Sequence, residues 1–391
     1  MSEDPFGQRL ERARRVAGLS RAQVATALAV RRVDVARIEH GRRRVSALEL
    51  GKLARLYRKP SARCLLEPAG APPIRYFRSD PRVDERDLAV VEEAGDWLAY
   101  YAWLERCALG AQRYEFPTYP LPSGHATEQG ERLAAEERSR VGLGDAEPVR
   151  SMVALLEREG VKLAVHAFHP KSQAFGCFLF SEELGPCVIL NRERPPAERR
   201  FAAAHAYAHL LADQEDVSGG VCGPFRAHEL DELRASAFAA AFLLPPDGVA
   251  AALGDLDTAT QVTAERVTAL SHAFGASYPT VVARLADLDW IDARRRTHLE
   301  RQRRSHRRDA GGGTAHARRA GGAPGEPGGT ESEPARFRSV AVEAWHCGRI
   351  STAKLADLLD LPEADVALLL DQSLFEHRRL HRGPSTEPDR L

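Results

Sequence analysis

The chain has 391 residues, 43% of them hydrophobic, and its 55 basic and 55 acidic side chains leave no net charge. That length allows two or three domains with at least one sizeable core. Six cysteines lie far apart with no C-x-x-C pair, which argues against a disulfide framework or a cysteine zinc knuckle and fits a reducing cytoplasm. The opening stretch "MSEDPFGQRLERARR" has no apolar signal-peptide core, and the longest nearly apolar run, residues 237–246, is too short to span a bilayer.

The neutral total hides an uneven distribution. Residues 1–60 carry 15 basic and 6 acidic side chains, and residues 294–308 carry 8 and 1; the rest has 32 against 48. Two basic segments on an acidic body point to an anionic partner, most simply double-stranded DNA.

Residues 6–60 parse as short helices. Phe6, Leu10, Ala13 and Ala17 form one apolar stripe, Gly18 ends that helix, and Ser20 caps "RAQVATAL". "AV" makes the turn, "RRVDVARIEHG" is a third helix closed by Gly41, and Leu50, Leu53, Leu56 and Tyr57 follow at helical spacing. Through "GLSRAQVATALAV" and "VARIEHGRR" this segment resembles the XRE (Cro and phage-repressor type) helix-turn-helix family. The resemblance implies a five-helix domain whose third helix enters the major groove, and a dimer on a two-fold site. Ala29 stands where the family usually has a turn glycine, and Arg21 where it has a glutamine; Arg21 is expected at a phosphate. Arg31, Arg32, Asp34 and Arg37 fall on the exposed face of the third helix, with Arg31 and Arg32 the candidates for guanine contacts. Arg42, Arg43 and Arg44 suit phosphates. Val24, Val35 and Ile38 are expected in the core.

Residues 83–108 read as one long helix with an apolar face at Val90, Ala94, Trp97, Tyr101 and Leu104, and "FPTYPLPSG" as an irregular connector. Two helices follow from about Ala126, the second stopped by Gly160. "VKLAVHAF", "AFGCFLF" and "PCVILN" read as three strands. "RPPAERRFAAAHAYAHLLADQ" is a helix opened by prolines, in which Phe201, His205, Ala208, His209 and Ala212 share one face, and "HELDELRASAFAAAFLLP" is another. Residues 263–290 read as two helices around Gly275–Ser277.

The blocks "GLGDAEPVRSMVALLEREGVKLAV", "VILNRERPPAERRFAAAHAYAHLL" and "ELRASAFAAAFLLP", in that order, resemble the ImmA/IrrE family of zinc metallopeptidase-like domains. The resemblance implies a zincin-like α+β fold and a Zn2+ ion held by His205, His209 and Glu232, three ligands with one open position. It also implies a general-base carboxylate directly after the first histidine, but that position is Ala206. Losing a general base typically costs on the order of 100- to 10,000-fold in rate. A phenol such as Tyr207, with a pKa of about 10, is a poor substitute at neutral pH. The domain is therefore expected to be catalytically impaired, with no catalytic residue assigned. Its groove, with the strand at 188–190, is expected to accept a protein or peptide by strand addition, or equally to sense a metal or a small molecule.

Residues 309–335 are rich in Gly, Pro and Ala and read as a flexible linker after the basic run. A small helical hairpin follows, holding Leu355, Leu358, Leu359 and "LPEADVALLL". The expected organisation is a helix-turn-helix domain at 1–68, a helical connector at 69–125, an ImmA/IrrE-like domain at 126–292, a linker at 293–337 and a C-terminal helical segment at 338–391, a mainly α, α+β chain. Three functions compete: a cytoplasmic transcriptional regulator, an active metallopeptidase that cleaves a repressor, and a non-catalytic toxin–antitoxin or phage-defence binding module. By resemblance, mobile-element control or stress response is the setting.

Overall fold

The computed structural model describes residues 5–57, 83–110, 116–121, 123–213, 219–224, 227–254, 262–309, 334–359 and 361–370. Helices dominate, with one four-stranded sheet, an α+β architecture. The chain divides into two compact units, one comprising residues 1–67, 99–113 and 335–391 and the other residues 68–98 and 114–334.

The first unit opens with α1 (Pro5–Val16), α2 (Arg21–Leu28), α3 (Arg32–Glu39) and α4 (Ala47–Leu56). Ser20 and Ser46 start α2 and α4 with capping boxes completed by Gln23 and Glu49, which satisfy the free amides of each first turn. Leu10, Val24, Leu28, Val35, Ile38, Leu53 and Tyr57 form a shared core. Four helices are thus in place; a fifth would fall after residue 57, outside the described residues. Ala29 ends α2 in the left-handed conformation, φ 57°, which explains why glycine suits this turn.

The long helix α5 (Glu85–Leu109) contains the point at which the chain passes from one unit to the other. The second unit then runs through α6 (Ala126–Arg140), α7 (Met152–Arg158), β1 (Lys162–His166), β2 (Gly176–Ser181), β3 (Gly185–Asn191), α8 (Pro196–Ala212), β4 (Gly219–Cys222) and α9 (Leu230–Leu243). The sheet order is β1-β3-β2-β4, with β1 and β3 parallel and the other pairs antiparallel. Leu156, Leu163, Phe178, Val188, Leu190, Tyr207, Leu210, Phe238 and Phe242 belong to the core between sheet and helices.

Two expectations change here. The fourth strand, "GGVC", has no periodicity of its own and forms by pairing with β2. Residues 188–190 lie in β3, which is hydrogen-bonded on both sides and wholly buried, so no peptide can add there. Its unbroken apolar run is the signature of an interior strand. The strands at the two edges are β1 and β4.

Helices α10 (Pro246–Leu253), α11 (Ala264–Phe274), α12 (Tyr278–Asp287) and α13 (Ala293–Asp309) complete the unit around Leu244, Leu270, Phe274, Val281, Leu285 and Leu299. Arg284, on α12, is buried and bonds Glu131 and the carbonyl of Leu244, so it serves packing. Helices α14 (Arg336–His346), α15 (Thr352–Leu359) and α16 (residues 363–370) belong to the first unit, where the Tyr101 and Phe337 rings meet edge-on at 5.2 Å. The linker stretch 310–333 and residues 371–391 lie outside the described residues. Among the described residues no single helix is long and apolar enough to cross a membrane.

Candidate metal centre and nucleic-acid face

Helix α8 carries His205 and His209 one turn apart, so both imidazoles leave the same face. That face meets α9, which supplies Glu232, and the end of β4, which supplies Cys222. One donor atom from each of the four lies within 4.8 Å of every other. His205 Nε2 is 3.2 Å from His209 Nε2 and 3.2 Å from Glu232 Oε2, and His209 Nε2 is 3.6 Å from Glu232 Oε1. Tetrahedral zinc sites with metal–nitrogen bonds of about 2.0–2.1 Å have ligand–ligand edges of about 3.3 Å. The donors are therefore spaced to hold one small cation.

The surrounding shell orients them. Asp213, four residues after His209, accepts a hydrogen bond from His209 Nδ1 at 2.7 Å, which leaves the Nε2 lone pair for the centre. Arg234 bonds the other oxygen of Asp213. Ser236 Oγ lies 3.4 Å from His205 Nδ1, so here too Nε2 faces inward. The Phe178 ring stacks on His209 at 4.5 Å.

Burial pushes each of the four groups towards its neutral form. The mutual hydrogen bonds outweigh it: the imidazoles hold Glu232 far below the usual carboxylate range and lower the Cys222 thiol. Bonds to Cys222 and Glu232, with Asp213 added for His209, raise both histidines. His205, His209, Cys222 and Glu232 are each 2% exposed or less. Charges this deep must be matched within the site. With an ion bound, two neutral imidazoles, a carboxylate and a thiolate would sum to −2, which a divalent cation cancels, while Asp213 and Arg234 cancel each other. The donor set thus fits a zinc-type ion.

The structure brings together the three residues expected from sequence and adds Cys222 and Asp213. Asp213 had a signal, the same four-residue step that links the histidines. Cys222 had none in local spacing, because strand pairing brings it to the site. Ala206, at the general-base position, is buried and carries no ionisable group, and the carboxylate of the four-donor cluster is Glu232, itself an expected ligand. The Tyr207 hydroxyl bonds Glu137, and burial together with that carboxylate raises its pKa far above the ordinary value, which removes it further from use as a base.

On the helix-turn-helix, Val35 and Ile38 are buried while Arg31, Arg32, Val33 and Arg37 are exposed, so one face of α3 is free for a groove. Asp34 accepts from Arg31 at 3.0 Å and from Arg37 at 3.5 Å, tying the two guanidiniums to one another's neighbourhood. Arg42 and Arg44 are exposed. Two arginines are engaged elsewhere. Arg43 bonds the capping residue Glu49 at 2.7 Å. Arg21 bonds Glu39 at 2.6 Å and Glu11 at 3.1 Å, so it closes a buried cluster in which Arg14 also bonds Glu39, at 2.5 Å.

A helix-turn-helix domain family model matches residues 5–63, and an IrrE N-terminal-like domain model, of the Peptidase_M78 family, matches residues 156–286. The chain therefore joins a helix-turn-helix domain to an ImmA/IrrE-type domain. No curated protein matches it.

Proposed function

We propose that the protein is a DNA-binding transcriptional regulator whose ImmA/IrrE-type domain is a catalytically impaired peptidase fold that receives a signal or a partner. The free face of α3 is the observation that carries the DNA-binding half: Arg31 and Arg32 stand at its N-terminal end, where a groove-bound helix reaches base edges. Arg42 and Arg44 add phosphate contacts, and a homodimer on a two-fold site suits such a domain. Ala206 and the Glu137-bound Tyr207 support the impaired reading. His205, His209 and Glu232 hold the zinc ion, which when bound supplies Lewis acidity and a cross-link between helices.

The test is selection of duplex DNA from a random pool by the purified full chain, followed by footprinting. A discrete protected site, lost in Arg31→Ala and Arg32→Ala while salt-sensitive nonspecific binding persists, supports the reading. Protection at no selected sequence, or zinc-dependent peptide cleavage abolished by His205→Ala, overturns it.

A further inference from the structure

We infer that Cys222 is a fourth protein ligand, and that the centre is a closed site of two histidines, one cysteine and one glutamate whose metal is a structural pin rather than a hydrolytic centre. This rests on the reading that His205, His209 and Glu232 hold a metal. Hydrolytic zinc sites keep three protein ligands and one open position, whereas structural sites fill all four with protein. Here the fourth corner belongs to a buried cysteine from a different element, whose donor atom lies with the other three inside a 4.8 Å span.

The backbone fixes that cysteine. Cys222 pairs with Gly176 across β2 and β4, and its carbonyl accepts from the Phe175 amide at 2.8 Å. It therefore lies on the same side of the sheet as Phe178, two residues along β2, whose ring stacks on His209. Cys177, the neighbour in sequence to Gly176, falls on the opposite side by the same alternation. Bound through its thiolate, Cys222 would also complete the charge count of two neutral imidazoles, one carboxylate and a divalent cation. With it the balance is zero.

Such a pin joins three elements. His205 and His209 come from α8, Glu232 from α9 and Cys222 from β4, so one ion ties a sheet edge to the two helices packed beside it. The alanine at 206 and the cysteine at 222 then act in the same direction. The first leaves no base to activate water, and the second fills the place where water would bind. A soft thiolate also favours zinc-type ions over magnesium or calcium.

The experiment is reconstitution of the full chain with cobalt(II), followed by absorption spectroscopy of wild type, Cys222→Ser and Cys177→Ser. The expected result is one cobalt per chain with an intense sulfur-to-cobalt charge-transfer band in the near ultraviolet and tetrahedral d–d bands in the visible. The charge-transfer band is lost in Cys222→Ser, which still binds cobalt through the remaining ligands, and is unchanged in Cys177→Ser. Cobalt binding without that band in wild type, or a band that survives in Cys222→Ser, overturns the inference and leaves the three-ligand site standing. Failure of wild type to bind cobalt at all overturns the underlying metal reading as well.

Discussion

Glu39→Ala removes the anion at the centre of the helix-turn-helix. The Glu39 side chain is buried and bonds Arg14 at 2.5 Å and Arg21 at 2.6 Å. Arg14 is itself buried, so the substitution leaves a guanidinium without its anion in the interior. Breaking a buried pair in this way costs about 3–5 kcal/mol. Arg14 keeps its bond to the Leu19 carbonyl at 2.9 Å and has Glu11 at 3.7 Å, which places the cost at the lower end, about 3 kcal/mol. Hydrogen exchange of the full chain reads this locally: the slowest amides of α1–α4 should exchange on the order of 100-fold faster. A change of less than about threefold would refute the reasoning, since it would mean that the cluster contributes almost nothing to local stability. The same residue gives a pH dependence. Burial opposes ionisation of Glu39, but the bonds to Arg14 and Arg21 outweigh it and hold its pKa below the usual value. Its contribution is therefore present above the unfolded carboxyl range, about 4.3, and is lost as pH falls through the lower folded value. Wild-type exchange in α1–α4 should accelerate in that acid window, and Glu39→Ala should show a smaller step, because Glu49, bonded to Arg43 and the Ser46 amide, is also held low.

Three other perturbations follow from particular contacts. Arg21→Ala should speed exchange in the same helices while leaving the pattern of the DNA footprint intact, because the side chain serves Glu39 and Glu11 rather than a phosphate. Ala29→Gly should stabilise the turn by about 0.5–1 kcal/mol, the relief of a left-handed alanine less the extra unfolded-chain freedom of glycine; slower exchange at the end of α2 checks it. Asp213→Asn should weaken metal binding about 10- to 100-fold, read by chelator competition, since it weakens the bond that orients His209.

Much of this molecule was legible in its sequence. Helices announced themselves through spacing and caps: Ser20 starts α2 with the side-chain bond expected of a cap. His205, His209 and Glu232 converge because two neighbouring helices carry them, and helical periodicity is a local property. The misses have one physical cause. Strand β4 owes its existence to β2, so "GGVC" carries no periodic signal and Cys222 looked like an isolated cysteine. Interior placement of β3 likewise depends on β1, which comes from before the adjacent β2 in sequence and pairs on β3's other side. The charge of Arg21 was visible, but the buried Glu39 that it bonds lies 18 residues away on another helix. Non-local pairing, of strands and of charges, is what a one-dimensional reading lacks.

The account turns on whether this peptidase-like fold holds a metal with the side chains assigned to it. Elemental analysis of the purified full chain, for wild type and His209→Ala, tests that most directly. The account predicts about one zinc per chain in wild type and loss of most of it in the variant. Wild type that stays metal-free after reconstitution with zinc, or His209→Ala that retains a full equivalent, would contradict it.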